Sequence, residues 1–244
     1  MKTVAIIPSR YGSTRFEGKP LASICGKPMI QHVCEAAQRT ERIEQVVVAT
    51  DDHRIVAAVE RFGGRAVMTS DAHRSGTDRV AAAAEKLGLS LDDVVINIQG
   101  DQPLMDSRCL DEVVEPLIAD PGLAMSTLAF VIVDAQEYTN PKDVKVVMDH
   151  SGFALYFSRA PVPYARDEGE RFDKLKHLGI YAYRRRFLEA FRKLPTGTLE
   201  RIEKLEQLRA LEYGHRVKVV VTRYDSPEVD LPSDIPRIER LMQP

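Results

Sequence analysis

The first polar loop of the chain carries side chains suited to binding a polyphosphate. Residues 8–21 read PSRYGSTRFEGKPL and contain three cations, Arg10, Arg15 and Lys19, directly after an apolar run. A polyphosphate needs fixed positive charge and backbone N–H groups that it can approach closely. Neither a GxGxxG nor a GxxxxGK[ST] pattern is present, so the loop is neither a Rossmann nor a Walker loop. A solvated basic surface loop is the alternative, but cations spaced five and four residues apart favour phosphate binding.

Two distant aspartates are candidate ligands for Mg²⁺. Asp101 follows the apolar run VVINI and stands beside Gly100, and Asp230 lies in the acidic segment 228–234. Mg²⁺ usually takes one or two carboxylates together with substrate phosphates. The alternative for Asp101 taken alone is that it caps the next element. The magnesium hypothesis therefore depends on the phosphate-binding cations of the first loop.

The first half of the chain alternates between strand-like and helix-like patterns, which predicts an open, mainly parallel α/β sheet. The predicted strands are 3–8, 45–49, 65–68 and 93–98, and the predicted helices are 29–39, 52–62 and 77–87. Such sheets bind ligands at the carboxyl ends of their strands. The loops expected there are 9–19, 50–52, 69–76 and 99–103.

The second half has sequential strands with fewer helices, which predicts an antiparallel lobe on the main sheet. Strand-like runs occur at 124–133, 144–148, 153–157, 178–183 and 216–222. Helices are predicted at 186–194, at 199–211 and after Ser233, and a polar loop at 164–174. One compact unit is expected, with a first lobe over 1–122, a second lobe over 123–222 and a final segment over 223–244.

The composition indicates a soluble globular protein without a general affinity for nucleic acid or membranes. The 244 residues carry 34 Lys+Arg against 36 Asp+Glu, a net charge of −2. No window approaches the roughly 20 apolar residues of a membrane helix. The three cysteines, Cys25, Cys34 and Cys109, form neither a CxxC pair nor a disulfide framework. Free thiols in a reducing cytoplasm are therefore expected.

A set of motifs in one order resembles the 3-deoxy-manno-octulosonate cytidylyltransferase family. The set comprises the first loop followed by SGTDR, NIQGDQP, DVKVV, ALYFSRAPVP, KHLGIYAYR, LEQLRALEYG and EVDLPSD. The first loop and QGD are also typical of sugar-nucleotide pyrophosphorylases and CMP-sialate synthetases. ALYFSRA, KHLGIY and LEQLR distinguish this family from those relatives.

The resemblance implies a three-layer α/β/α nucleotidyltransferase fold with a mostly parallel central sheet. A smaller antiparallel lobe would bind the sugar and form a homodimer. The implied reaction joins CTP and the sugar acid into a CMP-sugar and pyrophosphate for lipopolysaccharide synthesis, with Mg²⁺ as cofactor.

The resemblance also implies roles for individual residues. The nucleotide would contact Pro8, Ser9, Arg10, Arg15, Lys19, Ser75, Gly76 and Arg79, with Gln99 between nucleotide and sugar. Asp101 and Asp230 would bind the magnesium and, with Lys19 and Arg10, would carry the catalysis. The sugar acid would contact Gln99, Arg159, His177, Tyr181, Glu206 and Gln207. Arg159 would hold its carboxylate, because a guanidinium can bind a carboxylate through two parallel hydrogen bonds.

Three positions depart from the family pattern. Glu17 replaces a proline and is expected to point away from the triphosphate, and VDLPSD replaces VDTPED while keeping Asp230. Gln102 replaces a glutamate, which resembles the branch that activates the 8-amino-3,8-dideoxy sugar. The alternatives are that 8-amino substrate, a CMP-sialate-type synthetase and a non-catalytic nucleotide-sugar sensor.

Overall fold

The computed structural model describes residues 1–12, 15–73, 75–167 and 169–243. Two hydroxyl residues of the phosphate-binding loop, Ser13 and Thr14, lie outside the described residues. Among the described residues, no helix combines the length and the apolar character needed to cross a bilayer.

The first half of the chain forms the strands and helices that its patterns predict, together with a short hairpin within residues 23–28 that they do not. The strands are β1 (Thr3–Ser9), β2 (Ser23–Ile24), β3 (Lys27–Pro28), β4 (Gln45–Thr50), β5 (Ala66–Met68) and β6 (Val94–Asn97). The helices are α1 (Met29–Ala37), α2 (His53–Arg61) and α3 (Gly76–Lys86). Strands β6, β1, β4 and β5 lie side by side and all pair in parallel. The short β2–β3 hairpin forms a separate sheet.

The second half contributes five more strands to the same sheet and six helices. The strands are β7 (Met125–Val131), β8 (Lys145–Met148), β9 (Ala154–Ser158), β10 (Leu175–Arg184) and β11 (Lys218–Thr222). The helices are α4 (Arg108–Ala119), α5 (Ala135–Thr139), α6 (Arg185–Phe191), α7 (Thr198–Glu203), α8 (Leu208–Glu212) and α9 (Ile235–Met242). Strand β10 runs antiparallel between β6 and β7 and also pairs with β8, which pairs with β9. Strand β11 pairs with β7 in parallel, so the lobe predicted to be antiparallel is mixed, and it continues the main sheet.

Two helical segments differ from the sequence predictions. Helix α4 is not predicted above, although its buried residues Leu110, Val113, Val114 and Leu117 recur at helical spacing. The prediction of a single charged helix over 199–211 is wrong, because the helix is interrupted between α7 and α8. Lys204, which ends α7, adopts a left-handed conformation with φ of 55°, which a continuing helix cannot accommodate.

Helices cover both faces of the sheet, so the three-layer α/β/α fold is confirmed. On β1, Val4 and Ile6 pack in one core with residues of α3 and α6. The alternate residues Ala5 and Ile7 pack in the other core with residues of α1 and α4. Successive side chains of a strand point to opposite faces, so a strand covered on both faces is apolar throughout.

A third, smaller core holds the C-terminal segment against the β2–β3 hairpin. It contains Ile24, Met29, Val229 and Ile238 of α9, all buried. The backbone N–H of Val229 also donates to the carbonyl of Asp101 at 2.9 Å. Asp230 is therefore brought to the loop that follows β6.

Candidate active site

Two adjoining chambers open at the carboxyl ends of the parallel strands, where the sheet topology predicts a ligand site. The smaller chamber has a volume of about 390 Å³ and the larger about 610 Å³. Four residues line both chambers: Arg15, Gly76, Gln99 and Asp101. The two chambers are thus parts of one cleft that meet at the loop following β6.

The smaller chamber is lined by every residue predicted to bind the nucleotide. These are Pro8, Ser9, Arg10, Arg15, Lys19, Ser75, Gly76, Arg79 and Gln99. Ser75 also caps α3, because its hydroxyl accepts from the backbone N–H of Asp78 at 3.1 Å. A Cβ at Gly100 would lie 3.1 Å from the Ser9 hydroxyl, so a larger residue there would require the end of β1 to shift by a few tenths of an ångström. Glu17 is exposed and lines neither chamber.

Arg79 enters the smaller chamber from a buried position and is held by two partners. Its guanidinium donates to the Asp51 carboxylate at 2.5 Å and to the Thr69 hydroxyl at 2.6 Å. Asp51 is therefore an ion-pair partner of Arg79, and the adjacent Asp52 caps α2. His73 also lines this chamber, although the sequence patterns assign it no role. Burial and the nearby Arg79 lower the pKa of His73 below its usual value.

The two candidate metal ligands each contact side-chain cations. Lys19 Nζ lies 2.5 Å from Asp101 Oδ2 and 2.8 Å from the carbonyl of Val229. The Asp230 carboxylate lies 2.8 Å from Lys142 Nζ and 3.5 Å from the Arg15 guanidinium. Lys19 therefore links the loop after β6 to the C-terminal segment, and cations balance both carboxylates.

Asp234 fixes the backbone that carries Asp230. Its carboxylate accepts hydrogen bonds from the backbone N–H groups of Asp230 at 2.8 Å and Leu231 at 2.9 Å. Burial raises the pKa of Asp234, but these backbone hydrogen bonds outweigh it and the net shift is downward. The departure VDLPSD thus retains an acid that orders the segment.

The larger chamber is lined by every residue predicted to contact the sugar acid. These are Gln99, Arg159, His177, Tyr181, Glu206 and Gln207. Gln99 reaches across from the loop after β6, because its side-chain amide donates to the carbonyl of Gly179 on β10 at 3.0 Å.

His177 is held as a neutral imidazole of defined tautomer. The Thr127 hydroxyl donates its single proton to the carbonyl of Ile180 at 2.7 Å. It must then accept from His177 Nε2, which lies 2.9 Å away, so Nε2 carries the proton and Nδ1 is left as an acceptor. The ring packs against Phe157 and Tyr181, with centroids 5.1 Å from each. This burial lowers the pKa of His177 to about 3.

Glu206 and Gln207 lie in the break between α7 and α8 rather than on a solvated helix face. Glu206 accepts from the Thr77 hydroxyl at 2.7 Å, and burial raises its pKa above the usual value of a glutamate. Within the described part of the chain, Glu206 Oε1 and Gln207 Nε2 are buried without a hydrogen-bond partner, and Glu206 Oε1 lies 3.8 Å from the Arg209 guanidinium. The helix break therefore presents one acceptor and one donor to the chamber.

Arg159 is anchored by the surrounding backbone. Its Nε donates to the carbonyl of Glu203 at 2.7 Å, and one of its terminal nitrogens donates to the carbonyl of Pro141 at 2.9 Å. The edge that includes Nε is thus engaged by the protein. A carboxylate would be bound by the two terminal nitrogens of the guanidinium.

Gln102, the replacement for the family's glutamate, is fully buried behind the cleft. Its side-chain amide donates to the carbonyl of Leu178 at 2.7 Å and to Glu228 at 3.1 Å. Glu228 lines the larger chamber and is exposed to solvent. Crowding by protein around the carboxylate, together with the charge of Asp101, raises the pKa of Glu228. Gln102 therefore orients a carboxylate of the cleft without adding a second charge.

Further lining residues were not predicted as site residues. They include Glu137, Lys142, Lys176, Asp225 and Ser226. Lys176 belongs to the KHLGIY motif and was detectable there, but its partners come from segments without a distinguishing pattern.

Unsatisfied polar atoms concentrate in this cleft. Nine buried side-chain nitrogen or oxygen atoms have no hydrogen-bond partner among the described residues. Six of them belong to residues that line the chambers: Ser9, Asn97, Glu137, Glu206, Gln207 and Ser226. Because buried polar groups are nearly always paired in folded proteins, these atoms indicate a surface built to bind a polar ligand.

Comparisons with known proteins agree with this geometry. A model of the cytidylyltransferase family matches residues 4–219. The 3-deoxy-manno-octulosonate cytidylyltransferase of Desulfosudis oleivorans is 65% identical over 99% of this chain and 98% of its own length. The 8-amino-3,8-dideoxy-manno-octulosonate cytidylyltransferase of Shewanella amazonensis is 54% identical over 100% of this chain and 99% of its own.

A solved structure gives the same result for the fold. The structure of CMP:2-keto-3-deoxy-manno-octonic acid synthetase in complex with CTP superposes with a TM-score of 0.93 at 43% identity. The alignment covers 99% of this chain and 98% of that one.

Proposed function

The chain belongs to the cytidylyltransferase family, and within it we propose that the chain transfers CMP from CTP to 3-deoxy-manno-octulosonate, releasing pyrophosphate. The product would be the activated sugar acid used in lipopolysaccharide synthesis. Full-length relatives at 65% and 64% identity that carry this name support the choice of sugar.

One observation carries the proposal: a chamber lined by phosphate-binding cations meets a larger polar chamber at Gln99 and Asp101. The reaction joins two substrates, so the α-phosphorus of CTP and the anomeric hydroxyl of the sugar must meet at one point. The residues that line both chambers mark the point where the two substrates can come into contact.

The proposed mechanism relies on positioning and charge neutralisation, which phosphoryl-type transfers need more than covalent chemistry. The anomeric hydroxyl attacks the α-phosphorus and releases its proton to solvent, a new P–O bond forms, and the bond to pyrophosphate breaks. Arg10, Arg15 and Lys19 stabilise the negative charge that develops on the departing pyrophosphate. Ser75, Gly76 and Arg79, with the backbone of Pro8 and Ser9, hold the cytidine.

On the sugar side, each proposed contact follows from a group with free hydrogen-bonding capacity. Arg159 binds the carboxylate through its terminal nitrogens. The neutral His177 accepts through Nδ1, and Tyr181 supplies a hydroxyl. Glu206 Oε1 accepts and Gln207 Nε2 donates, so a sugar hydroxyl can satisfy both atoms.

We propose that Asp101 and Asp230 hold Mg²⁺ together with the phosphates of CTP. The donor set fits, since both residues line the larger chamber and carboxylate oxygens are ligands that Mg²⁺ prefers. No group of three or more His, Cys, Asp or Glu within the described part of the chain is arranged to hold a metal ion. Substrate phosphates would therefore complete the coordination, as is usual for Mg²⁺. When bound, the ion would neutralise and polarise the α-phosphate.

We further propose that the three segments defined from the sequence have separate roles. Residues 1–122 form the nucleotide lobe, 123–222 the sugar-binding and dimerisation lobe, and 223–244 the segment that returns to the site. The homodimer through the second lobe follows from the resemblance to the family. A cytoplasmic location agrees with the free thiols of all three cysteines. Light scattering on the purified chain would measure the dimer.

The test of the function is pyrophosphate release by the purified chain with Mg²⁺ and CTP. The parent sugar acid, its 8-amino analogue and sialate are supplied in parallel, with UTP as the base control. We expect turnover with CTP and the parent sugar. Preference for the 8-amino analogue would favour the second candidate, which the relatives of that name support. Turnover of sialate alone would contradict the proposal, and CTP binding without any turnover would indicate a sensor.

A further inference from the structure

The larger chamber contains a buried lysine that the proposed mechanism does not use. Lys176 Nζ lies 2.5 Å from Glu137 Oε1 and 3.0 Å from the Asp225 carboxylate, and 9% of its side chain is exposed. Burial lowers the pKa of Lys176, but the two carboxylates outweigh it and the net shift is upward. All three residues line the chamber, so this ion cluster is part of its wall.

The cluster lies apart from the junction of the two chambers. Gln99, at the junction, contacts Gly179 of β10, and Lys176 is three residues earlier on that strand, outside the irregular stretch between His177 and Tyr181. Lys176, Glu137, Asp225 and Ser226 line the larger chamber and are not among the residues that line the smaller one. A ligand group bound at the cluster would therefore be held away from the reacting phosphate.

Two polar atoms beside the lysine have free capacity. Ser226 follows Asp225 directly, is 4% exposed and lines the chamber, yet its hydroxyl has no partner among the described residues. Glu137 Oε2 is likewise buried without a partner in that part of the chain. An unpaired buried hydroxyl and carboxylate oxygen cost free energy until a ligand satisfies them.

We propose that Lys176, Glu137 and Ser226 form the subsite for the terminal hydroxyl of the sugar acid. This inference rests on the proposed function. Lys176 Nζ donates a hydrogen bond to the oxygen of this hydroxyl, and Glu137 Oε2 accepts a hydrogen bond from the hydroxyl. The Ser226 hydroxyl forms a further hydrogen bond with the same group. Asp225 keeps the ammonium group of Lys176 in place. The subsite would make the enzyme selective for the length of the sugar acid and for its terminal substituent.

The test combines variants with a shortened substrate. Lys176→Met and Ser226→Ala are compared with the unaltered chain, using the parent sugar and an analogue that lacks the terminal hydroxymethyl group. We expect Lys176→Met to lower kcat/KM for the parent sugar about ten-fold more than for the shortened one, since only the parent loses a charge-assisted hydrogen bond. Ser226→Ala should show a smaller selective loss and leaves every ion pair of the cluster intact.

The ratio between the two sugars is measured within one protein, so a loss of folded enzyme does not alter it. Lys142→Met is the matched control, because Lys142 lines the same chamber but pairs with Asp230. It should lower kcat/KM equally for both sugars. Equal losses with both sugars in Lys176→Met and Ser226→Ala would overturn the subsite while leaving the proposed function intact. No turnover by the unaltered chain would overturn the proposed function and this inference with it.

Discussion

The ion pair between Asp51 and Arg79 is expected to contribute both to the stability of the fold and to nucleotide binding. The pair is 2.5 Å long, with side-chain exposures of 18% and 5%, and Arg79 also lines the smaller chamber. Asp51→Asn removes the charge that balances a buried guanidinium. Breaking a buried pair from one side typically costs about 3–5 kcal/mol. The asparagine oxygen and Thr69 can still accept hydrogen bonds, so we expect the lower end, about 3 kcal/mol.

The assay is thermal and urea unfolding alongside CTP binding by calorimetry. For a chain of this size, about 3 kcal/mol corresponds to a fall in Tm of roughly 6–12 °C. CTP affinity should fall about ten-fold, because Arg79 loses its fixed position, and the KM for the sugar should stay unchanged.

The neighbouring aspartate provides a matched control. Asp52 caps α2 and pairs with the exposed Arg54, and neither residue lines a chamber. Asp52→Asn should cost at most about 1 kcal/mol, as an asparagine is itself a good cap, with CTP affinity unchanged. The reasoning would be refuted if Asp51→Asn unfolded at the parental temperature, or if Asp52→Asn weakened CTP binding as much.

Three further predictions concern the cleft. Asp101→Asn should fold normally but release pyrophosphate about a hundred-fold more slowly or worse, as expected for loss of a group that organises charge at the reacting phosphate; near-parental turnover would contradict the magnesium assignment. Arg159→Lys should raise the KM for the sugar acid about ten-fold, since lysine cannot bind a carboxylate through two parallel bonds, and an unchanged KM would exclude Arg159 as the carboxylate partner. His177 should remain neutral, with its proton on Nε2, in nitrogen NMR spectra down to about pH 5. Because the unfolded chain protonates this histidine near its ordinary pKa of 6.5 and the folded chain only near 3, His177 should lower stability progressively below pH 6.5 and not above it. The variant His177→Gln, which lacks only this histidine, should lose that part of the acid sensitivity.

Much of the nucleotide chamber could be predicted from the sequence because it is built from local features. Its phosphate loop, the cap of α3 and the loop after β6 each follow a strand at its carboxyl end, and parallel strands bring those ends together. The cations Arg10, Arg15 and Lys19 were predicted to bind phosphate from this loop alone, whereas Ser75, Gly76, Arg79 and Gln99 were assigned to the nucleotide from the resemblance to the family. The strand and helix periods of the first half are local in the same sense.

The tertiary structure alone decided which distant residues meet. Lys176 is 39 residues from Glu137 and 49 from Asp225, and no spacing in the chain predicts that these three side chains share one wall. The break after α7, which turns Glu206 and Gln207 into the chamber, depends on a single left-handed residue, Lys204. The tautomer of His177 depends on Thr127, on another strand. Sequence patterns report the period and chemistry of neighbouring residues, whereas these contacts depend on where the chain turns back upon itself.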